Sequence, residues 1–295
     1  MINFINQKKV LLGELLLVLM VVIWGSTFFL IKEHLDFVDP VGMIFYRFAA
    51  AALLLAIGLK LKKIPLFASF KAGFITGFFL WGTYVPQNIG MLYTTASNSG
   101  FITALFVAFV PVILVFVLRE PPPLMRVFAA MVSLLGLWFL LGGLHGVNKG
   151  DLITMGTPVS VAFYVVSVDH YLKKDVSPAV LCFQQLFTVA FLSLIWMLIF
   201  GSPFAVTNPS TWWVIAYFTV FATLATFLVS NTVQKISTPM KVALIYALEP
   251  VFAALFAWGS GQESFTVTQM LGGSLIVLAT VVSEIPIPVR QRSKA

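Results

Sequence analysis

Two ionisable residues stand inside apolar stretches, and they define the chemistry to look for. Glu249 interrupts the run that begins at Pro239 and ends at Trp258. An acid that lipid cannot solvate must face a protein interior or a watery cavity, and such residues mark solute and proton paths. Pro250 follows it directly. Proline has no N–H, so a helix through this point leaves the Tyr246 carbonyl without its usual partner. A freed carbonyl beside an acid is a way to hold polar groups at mid-depth, away from lipid. Glu249 is therefore the candidate for cargo binding and proton coupling; a buried structural hydrogen-bonder is the alternative. Arg47 is the second intramembrane charge. It lies roughly 10 Å beyond Pro40, and Glu249 roughly 14 Å beyond Met240, at 1.5 Å per helical residue. That places both near the middle of a core about 30 Å thick. The expectation is that they face one interior and pair directly or through water, the alternative being that Arg47 snorkels to the interface.

Around these charges runs a band of polar and aromatic residues. Trp24, Ser26 and Thr27 lie in the first apolar stretch, Tyr84, Gln87 and Asn88 in the third, and Ser97 and Asn98 at the start of the fourth. Tyr164, Gln184, Gln185, Asn231, Gln234 and Tyr246 follow in the second half of the chain. Amides donate and accept, which suits a polar solute and also helix–helix bonding. The candidate lining of a solute path is Trp24, Ser26, Arg47, Tyr84, Gln87, Asn88, Ser97, Asn98, Tyr164, Gln185, Asn231, Tyr246 and Glu249. Enzyme signatures are missing. There is no Gly-x-x-x-x-Gly-Lys-Ser/Thr loop for nucleoside triphosphates. His34, His145 and His170 are scattered, and Cys182 is the one cysteine. No metal-ligand set, cofactor site or disulfide is expected.

The elements that must position these residues are membrane helices. Of the 295 residues 60% are hydrophobic and only 10% charged, and the mean hydropathy is +0.99. The expected class is an all-α integral membrane protein. Ten apolar spans are expected, over 10–32, 40–60, 69–91, 97–118, 124–143, 151–171, 178–200, 210–232, 239–259 and 266–285. Each is near the roughly 20 residues that cross a bilayer. Lys8 and Lys9 precede an apolar run that continues through Trp24 and Phe29 with no small-residue cleavage site, so it reads as the first span and not a signal peptide. The net charge of +7 sits in short loops beside apolar spans, where it sets topology; nucleic acid is not an expected partner. Fifteen of the eighteen Lys and Arg fall at one set of span ends. That side is expected to be cytoplasmic and to hold both termini.

The halves echo each other. Gly13-Glu14-Leu15 opens the first span and Gly150-Asp151-Leu152 the sixth, and Asn88 and Glu120 match Asn231 and Glu263 at one common offset. Five spans end on the side opposite their start, so a repeated second half must be inverted. The expected organisation is two inverted five-helix repeats, residues 1–146 and 147–295, with a site at mid-membrane between them. Gly73-x-x-x-Gly77 serves either packing within one chain or a dimer face, which leaves monomer and homodimer open.

The motifs carry a resemblance. Trp24-Gly25-Ser26-Thr27-Phe28, Thr95 through Thr103 with Val110-Pro111 and Arg119-Glu120-Pro121, and Thr238-Pro239 through Trp258 resemble the EamA-type transporters of the drug/metabolite superfamily, over nearly the whole chain. The resemblance implies ten helices in two inverted repeats and a central cavity. It implies secondary transport of small metabolites without ATP hydrolysis, with efflux of amino acids or related amphipathic compounds the expectation. The setting it implies is a bacterial inner membrane, with a small-molecule substrate and the lipid bilayer as partners. An uncoupled facilitator of the same fold, or a membrane sensor or scaffold without flux, are the alternatives. In place of the family's leucine-rich end to the ninth span stands Gly259-Ser260-Gly261-Gln262-Glu263, which predicts a looser end.

Overall fold

A computed structural model describes residues 2–119, 122–140, 148–261 and 266–283, and all of its regular elements are helices. The first three are α1 (Ile2–His34), α2 (Pro40–Leu61) and α3 (Phe70–Gly90). The start of α2 is fixed locally. Asp39 accepts from the N–H groups of Val41 and Gly42 at 2.8 and 2.9 Å, and Pro40 needs no partner in the first turn. Then come α4 (Ala96–Ala104), α5 (Phe106–Ile113), a π-helical stretch over Leu114–Leu118, and α6 (Leu124–Leu140).

The remaining helices are α7 (Lys149–Thr154), α8 (Gly156–Leu172), α9 (Pro178–Phe200), α10 (Thr211–Tyr217), a π-helical stretch over Phe218–Ala225, α11 (Thr226–Gln234), α12 (Pro239–Tyr246), α13 (Glu249–Gly259) and α14 (Val267–Ser283). Four expected spans are thus not continuous α-helices. The fourth breaks at Leu105, the sixth at Met155 and the ninth at Ala247-Leu248, while the eighth widens into π geometry. Among the described residues seven stretches are long and apolar enough to cross a bilayer. Leu124–Phe139 and Met270–Val282 are shorter apolar helices.

Two breaks share one hydrogen-bond pattern. Leu105 N–H reaches the Ile102 carbonyl at 3.1 Å and Ala108 N–H the Leu105 carbonyl at 3.0 Å. Leu248 and Val251 do the same with the carbonyls of Ile245 and Leu248, at 3.1 and 3.0 Å. Such three-residue bonds tighten the chain and end the α-helical ladder. A second shared contact ties helix ends. Asn88 donates to the Pro40 carbonyl at 3.2 Å, and Asn231 to that of Pro178 at 3.5 Å.

Small residues set the approach of the helices. A Cβ on Gly25 would lie 2.6 Å from Phe252 Cβ and 2.9 Å from the Ala253 nitrogen, so α1 crosses α13 nearly backbone to backbone. Gly73 and Gly77 press on Gln184 and Thr188 of α9. That stripe is used within the chain, so it gives no support to a dimer. The helix pairs α2 with α9, α6 with α14, α1 with α13 and α8 with α5 pack side by side. At one end Val38 and Val206 form an antiparallel bridge, and Thr207 N–H donates to the Phe37 carbonyl at 2.9 Å. At the other, Lys241 pairs with Glu14 and Arg126 donates to Thr238 at 2.7 Å.

The glycine-rich end of α13 finishes at Gly261 with φ +75° and open space around it. Gln262, Glu263 and Glu120 lie outside the described residues.

Candidate functional site

The broken helices converge on a cavity of about 50 Å³, room for a few waters or a compact solute group. Trp24 and Thr27 of α1, Leu80, Thr83, Tyr84 and Gln87 of α3, Thr103 of α4 and Phe106 of α5 line it. So do Val161 and Tyr164 of α8, Phe227 of α11, Tyr246 of α12 and Glu249 of α13. Glu249 is the first residue of α13 and half-buried. Pro250 stands where a first-turn N–H has no helical partner in any case, so the sequence breaks the helix and presents the acid at once. Among the described residues no hydrogen bond or ion pair ends on the Glu249 carboxyl.

Rings form much of the wall. Trp24 meets Tyr246 edge-on with centroids 5.0 Å apart, and Phe227 lies 5.7, 6.4 and 6.2 Å from Trp24, Tyr84 and Tyr164. Most polar groups in the wall are already engaged. Gln87 Nε2 donates to Thr103 Oγ1 at 2.9 Å. Tyr246 and Ser230 share a hydrogen bond of 2.5 Å, and Gln234 donates to Ser230 at 3.1 Å. The Tyr164 hydroxyl is buried and has no hydrogen-bond partner among the described residues.

Arg47 neither snorkels nor pairs directly with Glu249. It is fully buried, so it does not snorkel. Nor does it pair with Glu249, since no ion pair joins the two among the described residues. Instead its Nε donates to Thr223 Oγ1 at 2.9 Å and its guanidinium to the Ala222 carbonyl at 3.3 Å. Trp24 Nε1 donates to the same carbonyl at 3.1 Å. The shared carbonyl lies in the π-helical stretch over Phe218–Ala225, and a buried guanidinium takes the acceptors within its reach because burying a charge without them is costly. The guanidinium carbon also lies 4.9, 5.0 and 5.2 Å from the ring centres of Tyr84, Phe218 and Phe48. Those rings stabilise a cation held away from water. Tyr84 thus touches Arg47 and also lines the cavity that holds Glu249.

Six of the thirteen candidates line the cavity: Trp24, Tyr84, Gln87, Tyr164, Tyr246 and Glu249. The others are placed elsewhere. Ser26 bonds the Ile23 carbonyl at 2.7 Å and the Tyr217 hydroxyl at 2.9 Å. Asn88 holds Pro40, and Asn231 donates to Gln185 Oε1 at 2.9 Å. Ser97 and Asn98 sit in the first turn of α4, where the Asn98 N–H is capped by Thr95 Oγ1 at 3.1 Å. Sequence reading missed Leu80, Thr83, Thr103, Phe106, Val161 and Phe227 as lining. The offset that matches Asn88 to Asn231 also matches Tyr84 to Phe227, Thr103 to Tyr246 and Phe106 to Glu249, so the register held three of them. Among the described residues no group of three or more His, Cys, Asp or Glu is placed to hold a metal.

Apolar helices that break around an aromatic chamber with one acid in its wall fit an integral membrane protein with an interior site. The chain belongs to the EamA-like transporter family, which it matches over residues 11–142 and again over 148–284. It is 30% identical over 287 residues to an uncharacterized transporter of Archaeoglobus fulgidus, covering 95% of this chain and 90% of that one. A second uncharacterized transporter of the same organism is 26% identical over 161 residues, 54% of this chain and 58% of the relative. A solved chain described as "Crystal structure of protein" shares the fold, with a TM-score of 0.74 at 18% identity over 91% of this chain and 95% of that chain. Family and helices together make this an integral membrane transporter whose substrate is a small molecule.

Proposed function

We propose that the chain is a secondary transporter that exports small amphipathic metabolites, amino acids and related amine-bearing compounds among them, by alternating access around the Glu249 cavity. Ten helices cross the bilayer in this reading. They comprise the seven long apolar stretches, Phe70–Gly90, and the two shorter apolar helices. They divide into oppositely oriented repeats, 1–146 and 147–295, in a bacterial inner membrane with both termini cytoplasmic.

The observation that carries the reading is the make-up of the cavity wall. It draws on matched positions of the two halves: Trp24 and Val161, Thr27 and Tyr164, Tyr84 and Phe227, Thr103 and Tyr246, Phe106 and Glu249. The packing of α1 on α13 against that of α8 on α5, and of α2 on the Phe218–Ala225 stretch against that of α9 on α3, supports it too. Each contact becomes its counterpart when the halves are exchanged. Two similar bundles facing opposite ways can trade conformations and expose one site to each side in turn.

The test uses purified protein. A metabolite panel is screened for thermal stabilisation, because a ligand of the folded form raises its apparent stability. Flux of each hit is then measured in proteoliposomes. Flux driven by a pH gradient and lost in Glu249→Gln supports coupled transport. Counterflow that ignores the gradient makes the protein an uncoupled facilitator. Absence of flux for every stabilising metabolite overturns transport and leaves a sensor or scaffold.

A further inference from the structure

The chemistry of the cavity wall narrows the solute. Six of its thirteen lining residues are aromatic, and its one formally charged group is the carboxyl of Glu249. That carboxyl meets no cation among the described residues. A carboxylate partly withdrawn from water is stabilised by a counter-charge, and aromatic faces attract the same kind of group, above all a weakly hydrated ammonium.

A solute carboxylate finds the opposite. Arg47, the buried cation nearest in role, does not line the cavity: its Nε and Nη2 donate to Thr223 and Ala222, and its Nη1, without a hydrogen-bond partner among the described residues, is buried. The Trp24 N–H is spent on Ala222, and Gln87 donates to Thr103. The start of α13 offers an anion little, since its first-turn acid is Glu249 itself and Pro250 has no N–H. The Tyr164 hydroxyl, buried and without a partner, is a neutral group that accepts from an ammonium N–H or holds a water.

We propose that the cavity takes a compact ammonium centre, seated among the aromatic rings with the Glu249 carboxylate as its counter-charge, in a solute that carries no free carboxylate. The proposal rests on the transport reading of the same cavity and narrows it: amines and quaternary ammonium compounds rank above zwitterionic amino acids.

The experiment measures binding calorimetrically to the full chain in lipid nanodiscs. Three probes share one head-group shape: ethyltrimethylammonium, a cation; neopentyl alcohol, neutral and equal in size; and trimethylglycine, a zwitterion. The cation is expected to bind about tenfold or more tighter than either of the others. Phe227→Leu keeps apolar volume and removes a ring, and should weaken cation binding about five- to tenfold, the range set by one cation–π contact. Glu249→Gln should weaken it more, while leaving neopentyl alcohol unaffected. Where Phe227→Leu melts too low to measure, Tyr164→Leu reads the same loss of a ring.

Equal or tighter binding of the zwitterion or the neutral probe overturns the proposal. So does failure of the cation to bind, or binding that neither Glu249→Gln nor a ring variant changes. The two readings fail separately. Flux of a zwitterionic metabolite with no ammonium binding sinks this proposal and keeps transport. Ammonium binding that depends on Glu249, with no flux of any solute, does the reverse.

Discussion

Phe106 and Glu249 each open the second segment of a broken helix, one residue after a leucine whose N–H and carbonyl make the same pair of three-residue bonds, and both line one cavity. One position carries an apolar ring and its counterpart an acid. A chamber built from matched positions is therefore chemically lopsided, with its charge on the α13 side. In the proposed cycle it is the Glu249 side that would exchange a proton or supply the counter-charge to a cation. Replacing Glu249 with Gln keeps the shape and removes the charge, so coupled flux should fall at least about tenfold, the loss of a charge-assisted contact. The melting temperature should hold, since no partner among the described residues is orphaned. Proteoliposome flux alongside a thermal melt checks this; unchanged flux at full protein level removes Glu249 from the transport cycle.

Arg47 and Glu249 make no direct contact: the guanidinium donates to Thr223 and Ala222 and lies over Tyr84, with Nη1 left without a hydrogen-bond partner among the described residues. Arg47→Ala leaves a hole and orphans part of that junction, for a loss of about 2–4 kcal/mol in stability. Combined with Glu249→Gln, the effects should add within about 0.5 kcal/mol. A double-mutant cycle read by thermal or denaturant unfolding measures the coupling. A coupling above about 1.5 kcal/mol would restore the direct pair.

Gly25 is where α1 and α13 touch. Gly25→Ala would place a methyl 2.6 Å from Phe252 Cβ and 2.9 Å from a backbone nitrogen, so one helix must move. Overpacking of this kind costs about 1–3 kcal/mol. It also shifts Glu249 at the head of α13 against Trp24 on α1, so ligand-induced stabilisation should shrink along with the melting temperature. A melt of the variant with and without ligand decides it, and an unchanged melt would mean the contact is looser than described.

Much of this architecture was legible in the sequence, and the physical reason is consistent. Hydropathy reads burial over about twenty residues, so the apolar stretches and the acid among them stood out. Glu249 with Pro250 signalled a break because proline removes a donor. The break at Leu105 has no such signal: Ala104 to Val110 is continuous apolar sequence without proline or glycine. The π geometry over Phe218–Ala225 left no mark either, and within it lie the Thr223 hydroxyl and Ala222 carbonyl to which Arg47 donates. Asn231 and Gln185 read as solute contacts in the sequence, but amides bond one another as readily as a solute: here Asn231 donates to Gln185 Oε1, while Gln185 Nε2 and Asn231 Oδ1 have no partner among the described residues.

The bridge between Val38 and Val206 joins the segment after α1 to the segment after α9, reinforced by Thr207 on Phe37 at 2.9 Å and by the Tyr46 hydroxyl on the Phe204 carbonyl at 2.5 Å. If the two bundles rock against each other, this end must part during the cycle. Bridged antiparallel residues have Cα atoms about 4.5–5.5 Å apart, within the span of a disulfide. Val38→Cys with Val206→Cys should cross-link on oxidation, and the native Cys182 is buried and will not compete. Oxidised protein should lose most of its flux, and reduction should restore it, while ligand-induced stabilisation persists because the cavity lining is untouched. Flux that continues at full rate with the cross-link formed would mean that this end stays closed throughout, and the cavity would then have to exchange solute by another route.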